Sequence, residues 1–417
     1  MSYNVSDKTK GIMDTITSLP EVKSGLDFLQ RDHDKAVKEQ LELVVIKAPT
    51  FHEITRAKRY AEMFSELGLE DVHIDKHNNV IGIKKGCSLG PTIVIEAHLD
   101  TVFPQDVEIN PIIKDGKIFA PGICDDTRGL AAVLSVIRAF NETKIEHLGD
   151  IYFVGIAMEE GIGGLRGMKG FFEDHKGKID ASVSIDGAGA ERIVYNATGI
   201  KTMAFNFYGI GGHAFAAFAK VANPLHAAAR AVAKIASLRV PEDPKTTFAV
   251  SSFHAGSDEG VHAITENASF KINFRSNGVA ELKKLEEDVL RCVKEACREE
   301  SDFWKKDEIT FDYAYLVDIP AGVQDANRPI VEAAYVAMQH LGLSPMLAAD
   351  GCTNANIPVG LGIPAVCIGR GGEEGGIHTT GEWFNPEGAY ICPQEVFLIA
   401  LALSGIKDKC ESVLPSE

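Results

Sequence analysis

His98 and Asp100 are the first residues of the chain whose types and spacing suggest chemistry. They end the apolar part of the segment TIVIEAHLDTVFP, in which Thr92 to Ala97 have the composition of a buried β-strand. In an extended chain residues i and i+2 point the same way, so the imidazole and the carboxylate face a common point at the strand's carboxyl end. Open α/β sheets bind ligands there. Taken alone, the pair is explained more simply by a surface histidine and a turn aspartate.

Three later stretches repeat this arrangement, because acidic residues again follow apolar segments where glycine-rich loops begin. With the histidine of the last glycine-rich loop, the residues concerned are Asp125, Asp126, Glu159, Glu160, Asp186 and His378. Adjacent acids at a pocket repel one another unless a cation offsets their charge. Carboxylates with two imidazoles, and no cysteine cluster, are typical ligands of zinc or of a close relative such as cobalt or manganese.

These ligands suffice for two ions. A paired site holds its metals roughly 3.5–4 Å apart and makes a water between them more acidic. The side chains of Glu159 and Glu160 diverge because the residues are adjacent, so one can bind metal while the other accepts a proton.

Each element of this set also has a simpler explanation. The Asp125-Asp126 pair could serve only as a helix N-cap, the Glu159-Glu160 pair could be a solvated face, and Asp186-Gly187 is a common turn dipeptide. The segment GRGGEEGG could be taken for a phosphate-binding loop, but it lacks the strand–GxxxxGK[ST]–helix context. Together the simpler explanations require five coincidences at strand ends or in a flanking loop, which favours a metal site.

The elements that must position these residues follow from periodicity. Up to about residue 195, strand and helix patterns alternate, which predicts a mainly parallel sheet covered by helices on both faces. Within this part Thr50-Phe51-His52-Glu53 has the form of a capping box and predicts a helix through Leu67. Near Asn196 the pattern changes to β-α-β-β-α-β, the order of a ferredoxin-like α+β unit. The α/β pattern resumes at 329–341, so we expect domains at 1–197, 198–318 and 319–417.

Composition excludes several classes of partner. The chain has 417 residues, 45% of them hydrophobic, and a formal net charge of −17, without a run of Lys or Arg. We therefore expect neither nucleic acid nor an anionic membrane as a partner, since both need a basic face. The amino-terminal residues lack a signal-peptide pattern, and no apolar run reaches membrane-spanning length. Eight cysteines without a CxxC pair predict reduced thiols and a cytoplasmic protein.

The motifs resemble, in type and order, those of the co-catalytic zinc peptidase and amidohydrolase family that includes peptidase T, carboxypeptidase G, aminoacylase and succinyl-diaminopimelate desuccinylase. HLDTV matches the family's H-x-D motif, GICDDTRG its G-x-x-DD motif and MEEGIGG its EE motif, while SIDG and IHTTGE match its fourth and fifth ligand segments. The resemblance covers nearly the whole chain after residue 35. It implies a zinc-exopeptidase-like α/β fold with an inserted ferredoxin-like lid that also dimerises.

The resemblance also implies roles for the clustered residues, with two Zn²⁺ per subunit, or Co²⁺ or Mn²⁺ in their place. His98 and Asp186 would bind one ion, Glu160 and His378 the other, and Asp125 would bridge the two. Asp100 would orient His98, and Glu159 would be the general base. The peptide bond after the bridging aspartate, Asp125–Asp126, would be cis.

Three lid residues acquire roles in the same way. His213, in GGHAF, would reach the active site of a neighbouring subunit and stabilise the oxyanion. Asn267 and Arg275 would hold the substrate, the arginine through a carboxylate. Without the resemblance these residues would be interpreted as a strand-edge histidine, a turn asparagine and a surface arginine.

The sequence departs from the family pattern in three places. The proline that often follows the lid histidine is delayed to Pro224, Asn354 stands where relatives often have aspartate, and DDTRG replaces the commoner DDKGG. No ligand position is lost.

The resulting prediction is a cytoplasmic, homodimeric two-zinc hydrolase of amide bonds, most specifically a peptidase T-like aminopeptidase that acts on small peptides. The same motifs would suit an N-acyl-amino-acid deacylase or a carboxypeptidase. A third alternative is a non-catalytic protein that binds metal or peptide with the same fold.

Overall fold

A computed structural model describes residues 3–306 and 309–415. The chain folds into two units, one running to Ala197 and resuming at Val323, the other formed by Thr198–Gly322. The second unit ends four residues beyond the boundary expected at 318, because its last strand continues to Ile319 and the backbone of Ala321 lies against Gly199.

The first unit begins with four helices and continues with alternating strands and helices. Its elements before Ala197 are α1 Asp7–Ser18, α2 Pro20–Arg31, α3 His33–Val44, α4 Ile54–Glu66, β1 Glu70–Ile74, β2 Val80–Lys84, β3 Ile93–His98, β4 Ile112–Lys114, β5 Lys117–Phe119, α5 Thr127–Thr143, β6 Ile151–Ile156, α6 Arg166–Asp174, β7 Ala181–Gly187 and β8 Arg192–Val194.

The described residues of the second unit form six strands and two helices. They are β9 Gly199–Tyr208, β10 Gly212–His213, α7 Pro224–Ala236, β11 Thr246–Ala255, β12 Ala263–Ile264, β13 Asn267–Ser276, α8 Val279–Trp304 and β14 Thr310–Ile319. The first unit then resumes with α9 Pro329–His340, β15 Met346–Ala348, α10 Asn356–Gly360, β16 Ala365–Gly369, β17 Glu373–Gly375, β18 Trp383–Asn385 and α11 Ile391–Ser404.

An eight-stranded sheet forms the centre of the first unit, in the order β1-β2-β6-β3-β7-β16-β8-β15. The four adjacent strands β6, β3, β7 and β16 are parallel, so their carboxyl ends share one edge. Every residue of β3 is buried, which requires cover on both faces of the sheet. The expected mainly parallel α/β architecture is therefore confirmed.

Helix α5 starts at the same edge of the sheet. The side chain of Asp126 caps it, because its Oδ1 accepts the N–H of Gly129 at 3.1 Å. The other oxygen, Oδ2, accepts the N–H of His98 at 2.9 Å. The N-cap expected as the simpler role of Asp126 is thus present, and it also ties the start of the helix to the end of β3.

The capping box predicted at Thr50-Phe51-His52-Glu53 is wrong. Helix α4 begins at Ile54, and the Thr50 hydroxyl donates to Asp100 Oδ2 at 2.9 Å instead of capping the helix. Glu53 Oε1 accepts the N–H of Phe51 and of Met158. Thr50 therefore bonds to Asp100, which is distant in sequence, and does not cap the helix.

The second unit has the element order β-α-β-β-α-β once the two-residue strands β10 and β12 are set aside. Its four-stranded sheet is antiparallel, in the order β11-β13-β9-β14. Alternate residues of β9, among them Met203, Phe205 and Phe207, are buried in a core shared with α7 and α8.

Two further properties concern the helices and the cysteines. Among the described residues no helix has the length and apolarity needed to cross a membrane. All eight cysteines are free thiols.

Candidate metal centre

Five segments distant in sequence bring the candidate ligands together. His98 is the last residue of β3, Asp186 lies near the end of β7, and Glu160 follows β6. Asp125 lies in the turn before α5, and His378 in the loop between β17 and β18. The Asp125–Asp126 peptide bond is cis, as the resemblance implied.

Asp125 lies between the two histidines. Its Oδ1 is 3.0 Å from His98 Nε2, and its Oδ2 is 3.1 Å from His378 Nε2. On the outer sides, Asp186 Oδ1 is 3.6 Å from His98 Nε2, and Glu160 Oε1 is 2.9 Å from His378 Nε2. The carboxylate of Asp125 thus presents one oxygen to each half of the cluster.

The charges within the cluster shift its pKa values strongly. Burial opposes a charge on His98, yet hydrogen bonds to neighbouring carboxylates raise its pKa well above the ordinary value. Hydrogen bonds to Asp125 and Glu160 raise the pKa of His378 to about 10. Burial alone would raise the pKa of Asp125, but Arg370 and the two histidines hold it well below the usual range.

His378 has an unusual backbone conformation. Its φ of 63° lies in the left-handed region, which residues other than glycine seldom adopt. Such conformations cluster at functional sites. The side chain remains half exposed, whereas Asp125 and Glu160 beside it are buried.

Glu159 lies against the same cluster. Its ligand atoms are within 4.8 Å of those of His98 and Glu160. Burial, together with the charge of Glu160, raises the pKa of Glu159 well above its usual value. The residue expected as general base therefore adjoins both halves of the candidate centre.

Asp100 contacts both His98 and the two glutamates. His98 Nδ1 is 2.9 Å from the main-chain oxygen of Asp100 and 3.6 Å from its carboxylate. The carboxylate instead accepts the main-chain N–H groups of Glu159 and Glu160, both at 3.0 Å. Asp100 therefore positions the histidine mainly through its backbone and the two glutamates through its side chain.

The residues present fit two divalent ions. The groups His98–Asp125–Asp186 and Asp125–Glu160–His378 each offer three ligand atoms that lie within 4.8 Å of one another. Imidazole and carboxylate donors without thiolate suit zinc, cobalt or manganese.

The three predicted lid residues all lie in the second unit. His213 ends β10, which pairs with β12, and its Nδ1 accepts the N–H of Phe215 at 3.2 Å. That contact leaves the proton on Nε2, which can donate to a ligand. Asn267 and Arg275 lie on the exposed face of β13.

Asn267 and Arg275 stand at opposite ends of β13. They are eight residues apart, which corresponds to about 26 Å along an extended strand. A ligand held by both residues of one subunit would have to span most of that length. Their substrate-binding roles stay predictions.

Sequence reasoning missed two charged residues that contact the cluster. Arg370, directly after β16, places Nη1 2.8 Å from Asp125 Oδ1. Glu382, buried in the last glycine-rich loop, accepts the main-chain N–H of Cys124 at 2.7 Å and of Asp125 at 3.1 Å. Arg370 follows a buried strand just as the acids do, so the rule that selected the acids would have found it had it included cations.

Two of the departures from the family pattern are buried. Asn354 donates from Nδ2 to Glu96 Oε2 at 2.9 Å, and burial raises the pKa of Glu96 to about 7. An asparagine there avoids placing a second carboxylate against a buried one. Arg128, of DDTRG, is fully buried and donates to the main-chain oxygens of Arg370 and Ala389 at 3.1 and 2.5 Å.

Comparison with known sequences gives a family for this architecture. The sequence model described as Peptidase family M20/M25/M40 matches residues 94–398. The chain is 30% identical over 369 residues to the uncharacterized protein YqjE of Bacillus subtilis, covering 84% of this chain and 92% of that protein. It is 25% identical over 309 residues to a succinyl-diaminopimelate desuccinylase of Stenotrophomonas maltophilia, covering 70% of this chain and 78% of that one.

Comparison with solved structures finds the same fold. The crystal structure of aminopeptidase PepT from Bacillus cereus superposes with a TM-score of 0.72 at 25% identity. It covers 88% of this chain and 97% of the aminopeptidase.

Proposed function

Because the chain belongs to peptidase family M20/M25/M40, whose members hydrolyse amide or peptide bonds, we propose that it is a two-metal aminopeptidase acting on small peptides. The matched segment contains every residue of the cluster described above. Similarity in fold to aminopeptidase PepT supports the aminopeptidase specificity.

The single observation that carries the two-metal part is the position of Asp125. Its two oxygens face the Nε2 atoms of His98 and His378 at 3.0 and 3.1 Å, the geometry of a carboxylate shared by two ions. Asp186 and Glu160 would complete the two ligand groups. Two bound divalent ions would polarise the scissile carbonyl and lower the pKa of the attacking water.

The remaining steps belong to the protein's own side chains. Glu159 would accept the proton of the attacking water and return it to the leaving amine. The carboxylate of Asp100 accepts the main-chain N–H of Glu159 and so fixes its backbone. Nε2 of His213, supplied by a partner subunit, would donate a hydrogen bond to the oxyanion, while Asn267 and Arg275 would contact the substrate.

A substrate panel tests the specificity. Metal-free enzyme would be supplied with Zn²⁺, Co²⁺ or Mn²⁺ and assayed on dipeptides, tripeptides, their N-acetylated forms and N-acyl amino acids. We expect hydrolysis only of substrates with a free amino terminus, and its loss on addition of a chelator. Activity confined to N-blocked substrates would overturn the aminopeptidase assignment.

Mixing two inactive variants tests the role of the partner subunit. A heterodimer of His213→Ala and Glu159→Gln chains has one site with both groups intact if His213 acts across the interface. An equimolar mixture should therefore regain about a quarter of wild-type activity. No recovery after confirmed subunit exchange, or a monomeric protein in light scattering, would overturn the shared site.

A deacylase is the second candidate, and the 25% identity to a desuccinylase favours keeping it. A carboxypeptidase would use the same cluster. A non-catalytic metal- or peptide-binding protein has no use for a glutamate placed as Glu159 is. The eight free thiols support the expected cytoplasmic location.

A further inference from the structure

Arg370 places a permanent positive charge inside the candidate metal centre. It follows β16, the fourth of the adjacent parallel strands, and is 3% exposed. Among the described residues it is the only lysine or arginine that forms an ion pair with the candidate ligands. A guanidinium keeps its proton in proteins, so this charge cannot be removed as the protons on the histidines can.

The guanidinium contacts one half of the cluster. Its Nη1 lies 2.8 Å from Asp125 Oδ1 and 3.2 Å from Asp186 Oδ1. Those two oxygens are the ones that face His98 Nε2. The ion pairs of Arg370 are with Asp125, Asp126, Asp186 and Glu374, whereas the pairs of His378 are with Asp125 Oδ2 and Glu160. The two ligand groups are therefore unequal in charge.

Several contacts hold Arg370 in this position. Its Nη2 donates to Glu374 Oε1 at 3.0 Å, and its main-chain N–H donates to the oxygen of Gly187 at 2.7 Å. Its own main-chain oxygen accepts from Nε of the buried Arg128 at 3.1 Å. Because both the side chain and the backbone are fixed, the guanidinium cannot swing out when an ion enters without breaking buried hydrogen bonds.

We propose that Arg370 is a built-in cation that makes the two metal positions unequal. One ion binds tightly to Asp125, Glu160 and His378, and the other binds weakly and exchangeably to His98, Asp125 and Asp186. The guanidinium occupies one lone pair on Asp125 Oδ1 and one on Asp186 Oδ1. Its charge would also repel a divalent ion bound to those oxygens. The inference rests on the two-metal site of the proposed function and adds which of the two ions is labile.

Metal binding to the apoprotein tests this directly. Protein stripped by a chelator would be titrated with Zn²⁺ by calorimetry in a competing buffer, and its metal content measured after desalting. The wild type should bind two ions with dissociation constants about 100-fold apart or more, and keep one ion after desalting. Asp186→Asn should lose only the weak ion, and His378→Ala should lose the tight one.

Two substitutions of Arg370 separate charge from shape. Arg370→Met removes the charge and should tighten the weak position about tenfold or more, while lowering the thermal stability of the metal-free protein more than that of the loaded protein. Arg370→Lys keeps the charge and should preserve the separation between the two constants. If Arg370→Lys binds the weak ion as tightly as Arg370→Met does, the shape of the side chain and not its charge sets the two affinities. The proposal would then be wrong.

If Arg370→Met does not fold, metal binding to the wild type can still overturn the proposal. Two ions bound with equal affinity, or retention of the ion held by His98 and Asp186, would overturn the inference while leaving the two-metal hydrolase intact. Failure of the wild type to bind any divalent ion would instead overturn the proposed function.

Discussion

The carboxylate of Glu382 accepts the main-chain N–H of Asp125 at 3.1 Å. It also accepts the N–H groups of Gly122 and Cys124, so three donors of one turn converge on one side chain. Glu382 lies four residues after His378. The loop that contains both residues therefore contacts Asp125 twice. His378 lies against its carboxylate, and Glu382 holds its backbone.

We expect Glu382→Gln to loosen that turn. An amide offers one acceptor oxygen and turns an NH₂ group toward the N–H donors, so buried groups lose their partners. The free energy of unfolding should fall by about 1–3 kcal/mol, as measured in urea, and the zinc retained after desalting should fall as well. Glu387→Gln, exposed in the same segment, is the matched control and should change neither. Equal stability of the two variants would contradict the anchoring role.

Glu159→Gln should separate chemistry from metal binding. Loss of the general base should lower kcat by about 10²- to 10⁴-fold, while the metal content measured by mass spectrometry stays at the wild-type value. The adjacent substitution Glu160→Gln should instead lower the metal content, because Glu160 Oε1 faces His378. Near-normal turnover of Glu159→Gln would refute the proposed role.

Arg138 ties the N-terminal helices to α5, the helix that starts at the candidate metal centre. Its guanidinium donates to both carboxylate oxygens of Asp32 and, at 2.8–2.9 Å, to both of Glu39, and it is 6% exposed. Arg138→Met would leave two poorly solvated carboxylates unpaired, so we expect a loss of about 3–5 kcal/mol in the free energy of unfolding.

A surface ion-pair network provides the control for Arg138. Arg59 pairs with Glu42, Glu62 and Glu66, whose side chains are largely exposed. Arg59→Met should cost about 1 kcal/mol or less in the same denaturation experiment. Similar losses for the two variants would show that burial does not distinguish the two sites.

Glu395, on the core helix α11, should make stability depend on pH. Neither of its carboxylate oxygens has a hydrogen-bond partner within the part of the chain that the structure describes. Burial, reinforced by Glu191, raises its pKa well above the ordinary 4.5. The folded state therefore binds a proton that the unfolded state releases above pH 4.5, and stability falls as the pH rises through that window.

Two substitutions isolate this effect. Glu395→Gln does not titrate, so the wild type should lose stability relative to it as the pH rises from 5 to 8 in parallel urea titrations. Glu395→Met also removes the buried polar group and should be more stable than the wild type at pH 8 by about 1–3 kcal/mol. A difference that stays constant with pH would contradict the raised pKa.

The ends of the strands could be predicted from the sequence because burial on both faces leaves a continuous apolar run. The strand expected at Thr92–Ala97 is Ile93–His98, and the residues placed at strand ends do converge. The sequence of a glycine-rich loop has no such apolar pattern. Nothing in GRGGEEGGIHTTGEW tells that Glu382 points inward, since its partners lie more than 250 residues earlier. Arg370 differs, because it directly follows a buried strand. The cis bond at Asp125 followed only from family resemblance.

The wide spacing of the candidate ligands along the chain limits when a metal site could form. His378 follows His98 by 280 residues (378 − 98), so a chain still on the ribosome presents His98 and Asp125 long before the other histidine exists. Small zinc domains are unfolded until metal arrives, whereas this chain buries a large apolar core. If the proposed centre binds metal, the chain should therefore fold first and take up its ions afterwards.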